Sequence, residues 1–328
     1  MLADVVEYLL CPVCAHGVRL DDRVLRCAQG HAFDVAKQGY VSLLPGDRVP
    51  GTADSAEMVE ARSAFLASGH YAPLARALAE AVHGRVRREK HERYAETNDG
   101  GGSGAYRGAG VEFGSQPGPQ WPDGGGEARA KRPVIVDAGT GTGYYLAAVL
   151  NAVGGVGVAF DVSKHAVRRA ARAHGGVGAF VADVWRTLPI GNAVADVVLN
   201  VFAPRNGSEF LRILRPGGAV VVVTPAREHL SPLVAELGLL SVDEEKERRV
   251  ARSLEGFTEV ERQSVCFDME LDGRDIGLVA GMGPSAWHTE PESLQARIAA
   301  YIAENVAKGR EKVVTRAAFH LSIFEATA

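Results

Sequence analysis

Val134-Ile-Val-Asp137-Ala-Gly139-Thr-Gly141-Thr-Gly143 is the most informative stretch of this chain. A β-branched run ends in an acid, and three alternate glycines lead into the apolar helix that opens at Tyr144-Tyr145. Such a run reads as a buried strand, and the glycines as a turn whose backbone can approach a ligand closely. The helix start behind it suits an anion such as a carboxylate. The spacing is G-x-G-x-G rather than the G-x-G-x-x-G that cradles a dinucleotide pyrophosphate.

Outward from this loop, short Val-rich runs alternate with amphipathic segments. Val156–Asp161, Val177–Ala182, Val194–Val201 and Ala219–Thr224 read as further strands. Tyr144–Ala152, Lys164–Ala173, Ser208–Leu214 and Leu230–Leu239 read as the helices between and after them. That alternation predicts a doubly wound, mostly parallel sheet. Glu259–Asp268 and Arg316–Glu325 bring the expected strands to seven, with helices near 274–282 and 291–308.

Acids recur at the strand ends. Asp161 is placed to accept the two hydroxyls of a ribose, and Asp183 to reach an adenine amino group. With Asp137 they outline a nucleoside pocket at the carboxyl edge of the sheet. S-adenosylmethionine, with one carboxylate and one ribose, fits this loop better than NAD. The alternative reading of Asp161 and Asp183 is as caps of the turns that follow them.

A second pattern lies near the N-terminus. Cys11, Cys14, Cys27 and His31 form C-x2-C-x12-C-x3-H, two close pairs of the kind that hold zinc tetrahedrally. Closed Cys3His coordination leaves no open position, so the expected zinc is structural, one per chain. His16 is a substitute ligand should His31 point away. Cys266, alone in a strand, is expected in the core.

The chain has 328 residues, 36 Lys+Arg against 40 Asp+Glu, and a net charge of −4, which at face value argues against nucleic acid. Placement matters more than the sum, however, and 29 of the basic residues are Arg. An apolar content of 46 % excludes wholesale disorder. No apolar run approaches the roughly 20 residues of a membrane span, and the start of the chain lacks a basic n-region, so the expected location is the cytoplasm. Residues 54–83 read as helical with a break at Gly69–Pro73. From Thr97 to Gly126, 11 of the residues are glycine, and the stretch is expected to be a flexible insertion.

These residues together resemble the bacterial 23S rRNA guanine-N1 methyltransferases. Besides the Cys/His quartet, the resemblance rests on Phe33–Leu44, Asp54–Met58, Ala61–Phe65, Ser68–Leu74, Asp161–Lys164 and Ala182–Trp185. It continues through Leu199–Pro204, Ile213–Gly218, Thr224-Pro225 with His229-Leu230, and Met282–His288. Ala182–Trp185, Asn200–Asn206 and Met282–His288 look most like the tylosin-resistance branch. Thr140 stands where some members carry Cys, and the glycine-rich insertion is a departure from the family pattern.

The resemblance implies a class I S-adenosylmethionine-dependent methyltransferase fold with a zinc module that recognises a 23S rRNA hairpin near the peptide exit tunnel. The expected layout is a zinc-binding module over 1–46, a helical connector over 47–96, the insertion over 97–127 and the methyltransferase domain over 128–328. It implies Cys11, Cys14, Cys27 and His31 as zinc ligands. Tyr71, Gly141, Thr142, Gly143, Tyr144, Tyr145 and His229 match cofactor-contacting positions, beside Asp137, Gly139, Thr140, Asp161 and Asp183 from the loop and strand ends. Asn200, Phe202 and Pro204 follow the fourth strand, where this fold presents its substrate; the alternative for Phe202 is the core. No general base is nominated. Arginines at 85–93, 129–132, 168–172 and 248–252 are candidate phosphate contacts. Competing readings are a small-molecule methyltransferase and a zinc-dependent RNA-binding protein without turnover, and a homodimer is left open.

Overall fold

The computed structural model describes residues 1–46, 53–98, 132–239, 252–283 and 291–327, and the side chains among them except at 89–98 and 291. Most of the glycine-rich insertion lies outside the described residues, as do Pro284–His288.

The Val-rich runs are strands because both of their faces are covered, the usual condition for a parallel sheet. β5 (Val134–Ala138) and β7 (Val177–Val181) are buried along their whole length, and so is β8 (Ala195–Val201). β6 (Val156–Asp161) pairs in parallel with both β5 and β7, and β8 lies on the other side of β5. β9 (Leu214–Pro225) continues the parallel set beside β8. β10 (Phe257–Leu271) and β11 (Val313–Ala326) form a long antiparallel hairpin that docks on β9. The start of β5 is tied to β8 by the Val134 N–H, which donates to the Asp196 carboxylate at 2.6 Å.

The seven expected strands are all present, and an eighth joins them. β4 (Tyr40–Ser42), from the segment that follows the Cys/His quartet, pairs in parallel with β7 and closes that edge. The small three-stranded sheet of β1 (Val18–Asp21), β2 (Val24–Cys27) and β3 (Ala32–Asp34) stands beside it. Leu2, Val5, Leu9, Leu25 and Val41 share one apolar cluster with Val136, Val158 and Phe180. The N-terminal module is thus part of one sheet face rather than a separate body. Val5 fits the space left by Gly178, where an added Cβ would lie 2.0 Å from Val5 Cγ2.

The other face is covered by α1 (Ala56–Ala67), α2 (Ala72–Asn98) and α3 (Tyr144–Val153), through Phe65, Leu74, Leu78, Val82 and Leu146. Ser55 caps α1 by accepting from the Met58 N–H. α4 (Lys164–Ala170) and α5 (Gly207–Ile213) are further crossover helices, capped by Ser163 and Asn206. The helix expected over 230–239 is shorter, α6 (Leu233–Leu237), because Pro232 precedes it and left-handed Gly238 ends it. Cys266 is exposed, against expectation. Its neighbour Val265 is buried, and strand alternation sends Cys266 to the other face.

Candidate active site and metal centre

In this topology β5 is where the strand order reverses, since the chain proceeds to β6 on one side and later returns to β8 on the other. Loops leaving the two strands diverge, and a crevice opens at their carboxyl ends. A cavity of about 790 Å³ lies there. Its floor is the glycine loop: Gly139, Thr140, Gly141 and Thr142, with Asp137 beneath and Tyr145 behind. Asp161 and Asp183 line one side, Phe202 and Pro204 another, and Tyr71 and His229 a third.

Three of the expected site residues stand apart. Gly143 and Tyr144 do not line the cavity. Gly143 has φ +77° and would carry a Cβ 2.9 Å from Ala170 Cα, so it is glycine to let α3 pass close to α4. Tyr144 lines a neighbouring groove with Arg168 and Arg172. Asn200 is fully buried and holds the following loop from beneath, its Nδ2 donating to the Ala138 carbonyl at 3.3 Å and the Pro204 carbonyl at 2.8 Å. It does not line the substrate side of the cavity as the sequence reading placed it; it positions the loop that does.

The loop is fixed from its own backbone. Gly139 and Thr140 N–H groups both donate to the Phe160 carbonyl, at 3.0 and 2.9 Å. Asp161 accepts from Gly141 N–H at 3.0 Å and Ser163 N–H at 2.8 Å, so it ties β6 to the glycine loop. Asp183 accepts from the Trp185 N–H at 3.0 Å. Phe202 has φ +55°, strained for a side chain of its size, which turns its ring out to 43 % exposure. Trp185, also of the cavity lining, is 65 % exposed.

Asp137 is buried and accepts from Thr140 Oγ1 at 2.7 Å. Burial, reinforced by the negative charge of Asp161 and opposed by the Thr140 hydroxyl, pushes its carboxyl up to about 7. The folded protein without ligand therefore holds a proton that the unfolded chain has already released. Stability from this group is complete below the ordinary carboxylate range and declines as pH rises towards 7. Thermal midpoints of the ligand-free protein are expected to fall between about pH 4 and pH 7 and to level off above. Asp137→Asn should flatten that fall; an equally steep fall in the variant assigns it to another group.

His229 and Tyr71 form a linked pair. The Ala318 N–H donates to His229 Nδ1 at 3.3 Å, which leaves the imidazole proton on Nε2. Nε2 lies 3.1 Å from the Tyr71 hydroxyl and donates to it. The Tyr71 hydrogen is thereby left to donate elsewhere. Burial raises the Tyr71 phenol well above its ordinary range, so it remains a donor.

At the metal centre, the ligand atoms of Cys11, Cys14, Cys27 and His31 all lie within 4.8 Å of one another. Cys14 and Cys27 sulfurs are 3.7 Å apart, and His31 Nδ1 is 3.4 Å from Cys27 Sγ and 3.6 Å from Cys11 Sγ. Tetrahedral zinc with Zn–S near 2.3 Å requires ligand separations of about 3.5–3.8 Å. Although burial opposes it, hydrogen bonds from the backbone at His31 and Gln29 and from the His31 ring hold the Cys27 thiol down to about 6. His16 is no substitute ligand: its Nδ1 faces the Cys14 carbonyl at 2.9 Å, outside the cluster.

Two family models match the chain. Residues 9–48 match the zinc-ribbon family model described as "RlmA, N-terminal", and residues 136–222 match "Methyltransferase domain". A "23S rRNA (guanine(748)-N(1))-methyltransferase" of Streptomyces fradiae is 45 % identical over 91 % of this chain and 92 % of its own length. The chain belongs to the 23S rRNA (guanine-N1)-methyltransferase family. A Micromonospora griseorubida protein named "Putative 23S rRNA (guanine-N(1)-)-methyltransferase" is 48 % identical over 92 % of this chain and 94 % of its own. Among solved structures, an S-adenosylmethionine-dependent methyltransferase of Thiobacillus denitrificans with S-adenosyl-L-homocysteine is more distant, 18 % identical over 60 % of this chain and 86 % of that one, with a TM-score of 0.38.

The family's methyl donor, S-adenosylmethionine, fits the cavity on two observations. The Tyr145 hydroxyl is buried without a hydrogen-bond partner, as in a site that awaits a polar ligand group. At Gly139 an added Cβ would lie 2.4 Å from Ala203 Cβ, so the narrow passage there tolerates no side chain.

Other functional residues were not singled out from sequence. Arg62, on α1, sits over the loop: it pairs with Asp54, donates to the Met282 carbonyl at 3.0 Å, and approaches Gly141. Its only sequence signal was its place in a block shared with the family. Of the basic clusters, Arg85 is structural, its buried guanidinium donating to Glu325 at 2.5 Å and the Gly217 carbonyl at 2.6 Å. Arg169 is tied to Glu60 and Ser63, whereas Arg168 and Arg172 are exposed. Arg132 donates to the Gly155 carbonyl at 2.8 Å. The side chains of residues 89–93, residues 129–131 and residues 248–251 lie outside the described residues.

Proposed function

We propose that this protein transfers the methyl group of S-adenosylmethionine to N1 of a guanine in a 23S rRNA hairpin near the peptide exit tunnel. The position named in its Streptomyces fradiae relative, guanine 748, is the proposed target, with tylosin-type macrolide resistance as the consequence. The reading rests above all on the cavity at the β5–β8 switch point, rimmed by the exposed rings of Trp185 and Phe202. N1 lies on the Watson–Crick edge, so the guanine must leave its stack, and RNA bases outside a stack are held on aromatic faces.

Bound S-adenosylmethionine supplies an electrophilic methyl group on a sulfonium. The protein's part is alignment, the main contribution to such a transfer. Asp161 and Asp183 take the ribose and the adenine edge in this reading. The Tyr71 hydroxyl, freed to donate by His229, and the Tyr145 hydroxyl take the carboxylate end. Asn200 fixes the Pro204 carbonyl so that Phe202 presents its ring to the base. Cys11, Cys14, Cys27 and His31 would hold a zinc ion that orders the N-terminal module, which contributes to RNA recognition together with the exposed Arg168 and Arg172. The protein works in the cytoplasm, where the rRNA is. Among the described residues no helix is long and apolar enough to cross a membrane.

Incubation with labelled methyl donor and either a 23S rRNA hairpin transcript or a macrolide panel tests the proposal. Label on the transcript is expected, with a primer-extension stop at one guanine. Label on the macrolides alone identifies a small-molecule methyltransferase. RNA binding without label transfer identifies a binding protein.

A further inference from the structure

Arg205 also lines the cavity wall. It follows Pro204, whose carbonyl is held by Asn200, and precedes Asn206. Asn206 caps α5 by accepting from the Glu209 N–H at 3.3 Å, and its Nδ2 donates to the Val184 carbonyl at 2.9 Å. The backbone that carries Arg205 is therefore fixed on both sides. Its Nε is buried without a hydrogen-bond partner, and no carboxylate forms an ion pair with it among the described residues. Burial alone pulls its guanidinium down to about 10. A half-buried cation without counter-charge costs free energy unless a ligand completes it. Arg62, by contrast, has its carboxylate partner in Asp54.

We infer that Arg205 contacts O6 of the target guanine and stabilises the negative charge that develops there as N1 loses its proton and takes the methyl group. The inference rests on the guanine-N1 reading. Guanine offers O6 and N7 as paired acceptors, and the planar fork of Arg matches them. In the transfer, the N1–H bond breaks and the proton passes to solvent water. The N1 electron pair forms the new N–C bond, and the S–C pair remains on sulfur. Charge left on the ring during proton loss is shared between N1 and O6, so a cation at O6 lowers the cost of that loss. The other acids and the histidine of the cavity already have partners: Asp54 pairs with Arg62, Asp137 accepts from Thr140, Asp161 accepts from two backbone N–H groups, and His229 is bonded to Tyr71. Asp183 accepts from the Trp185 N–H and faces Arg186 at 3.7 Å.

The experiment compares kcat against pH for the full-length wild type, Arg205→Ala and Arg205→Lys on the hairpin transcript. The product is identified as N1-methylguanine, and zinc content and S-adenosylhomocysteine affinity are measured alongside. In Arg205→Ala, kcat at neutral pH is expected to fall about 10²-fold. The pH at which its rate levels off should rise by about one to three pH units, because the N1 proton is no longer made easier to lose. Added guanidinium should restore part of the rate in Arg205→Ala and none in the wild type. Arg205→Lys should lie between the two and serves in its place if the alanine variant does not retain zinc and ligand binding. An unshifted pH profile overturns the inference. So does a loss confined to KM for the RNA, which marks a phosphate contact instead. Failure of the wild type to form N1-methylguanine is a different outcome, and it overturns the function rather than the role of Arg205.

Discussion

Replacing Cys11 and Cys14 together with serine is expected to reduce bound zinc from one per chain to near zero and to lower the thermal midpoint by about 10 °C or more. The effect is large because the four ligands tie together short hairpin segments. β1, β2 and β3 are strands of three or four residues, too short to be stable as an isolated sheet. The damage should not stay local. β4 is hydrogen-bonded to β7, Leu9 pairs with Ile190, and Val5 fills the recess at Gly178. Loss of the metal therefore uncovers Phe180 and Val158 as well. Hydrogen exchange should show loss of protection over residues 1–46 and along β7, and metal analysis gives the stoichiometry. Stoichiometric zinc in the double variant would falsify the ligand assignment.

Gly139→Ala is expected to weaken S-adenosylhomocysteine binding by about 100-fold or more and to take methyl transfer below detection. Two effects combine at this residue. Its φ of +78° costs an L-residue about 1–2 kcal/mol, and the new methyl would sit 2.4 Å from Ala203 Cβ. Relief requires the glycine loop to move away from Phe160, to which it is hydrogen-bonded, or the 202–205 loop to move away from Asn200. Either movement displaces one wall of the cavity. Gly143→Ala provides the contrast, since its methyl would strike the α4 backbone outside the cavity. It should lower the thermal midpoint more than it lowers ligand affinity. Calorimetric titration beside thermal melts separates the two variants, and similar affinity losses in both would remove the distinction.

The two strongest patterns were readable along the chain because each is local. Val-rich runs of five to seven residues, such as β5 and β8, are strands wherever both faces are covered. Cys11, Cys14, Cys27 and His31 converge through short hairpins whose lengths the spacing sets. β4 was not legible, since three residues carry little pattern and its partner β7 lies far along the chain. The outward face of Cys266 was hidden for a related reason: alternation says that neighbours face opposite ways, but only the packed sheet says which way is in.

At the catalytic end, the order of residues alone shows that a glycine loop follows a buried strand, that acids stand at successive strand ends, and that a metal module precedes them. These follow from side-chain volume, charge and spacing, all local properties. How the residues divide their work depends on packing. Asn200 turns inward to hold a carbonyl while left-handed Phe202, two residues later, turns out to the rim. Arg62 and Arg205 reach one cavity from distant segments, the first with a carboxylate partner and the second without. Arg85, from an equally basic stretch, is buried in the frame. Whether a guanidinium serves the fold or a ligand depends on which charges surround it after the chain has packed, and those charges come from every part of the sequence.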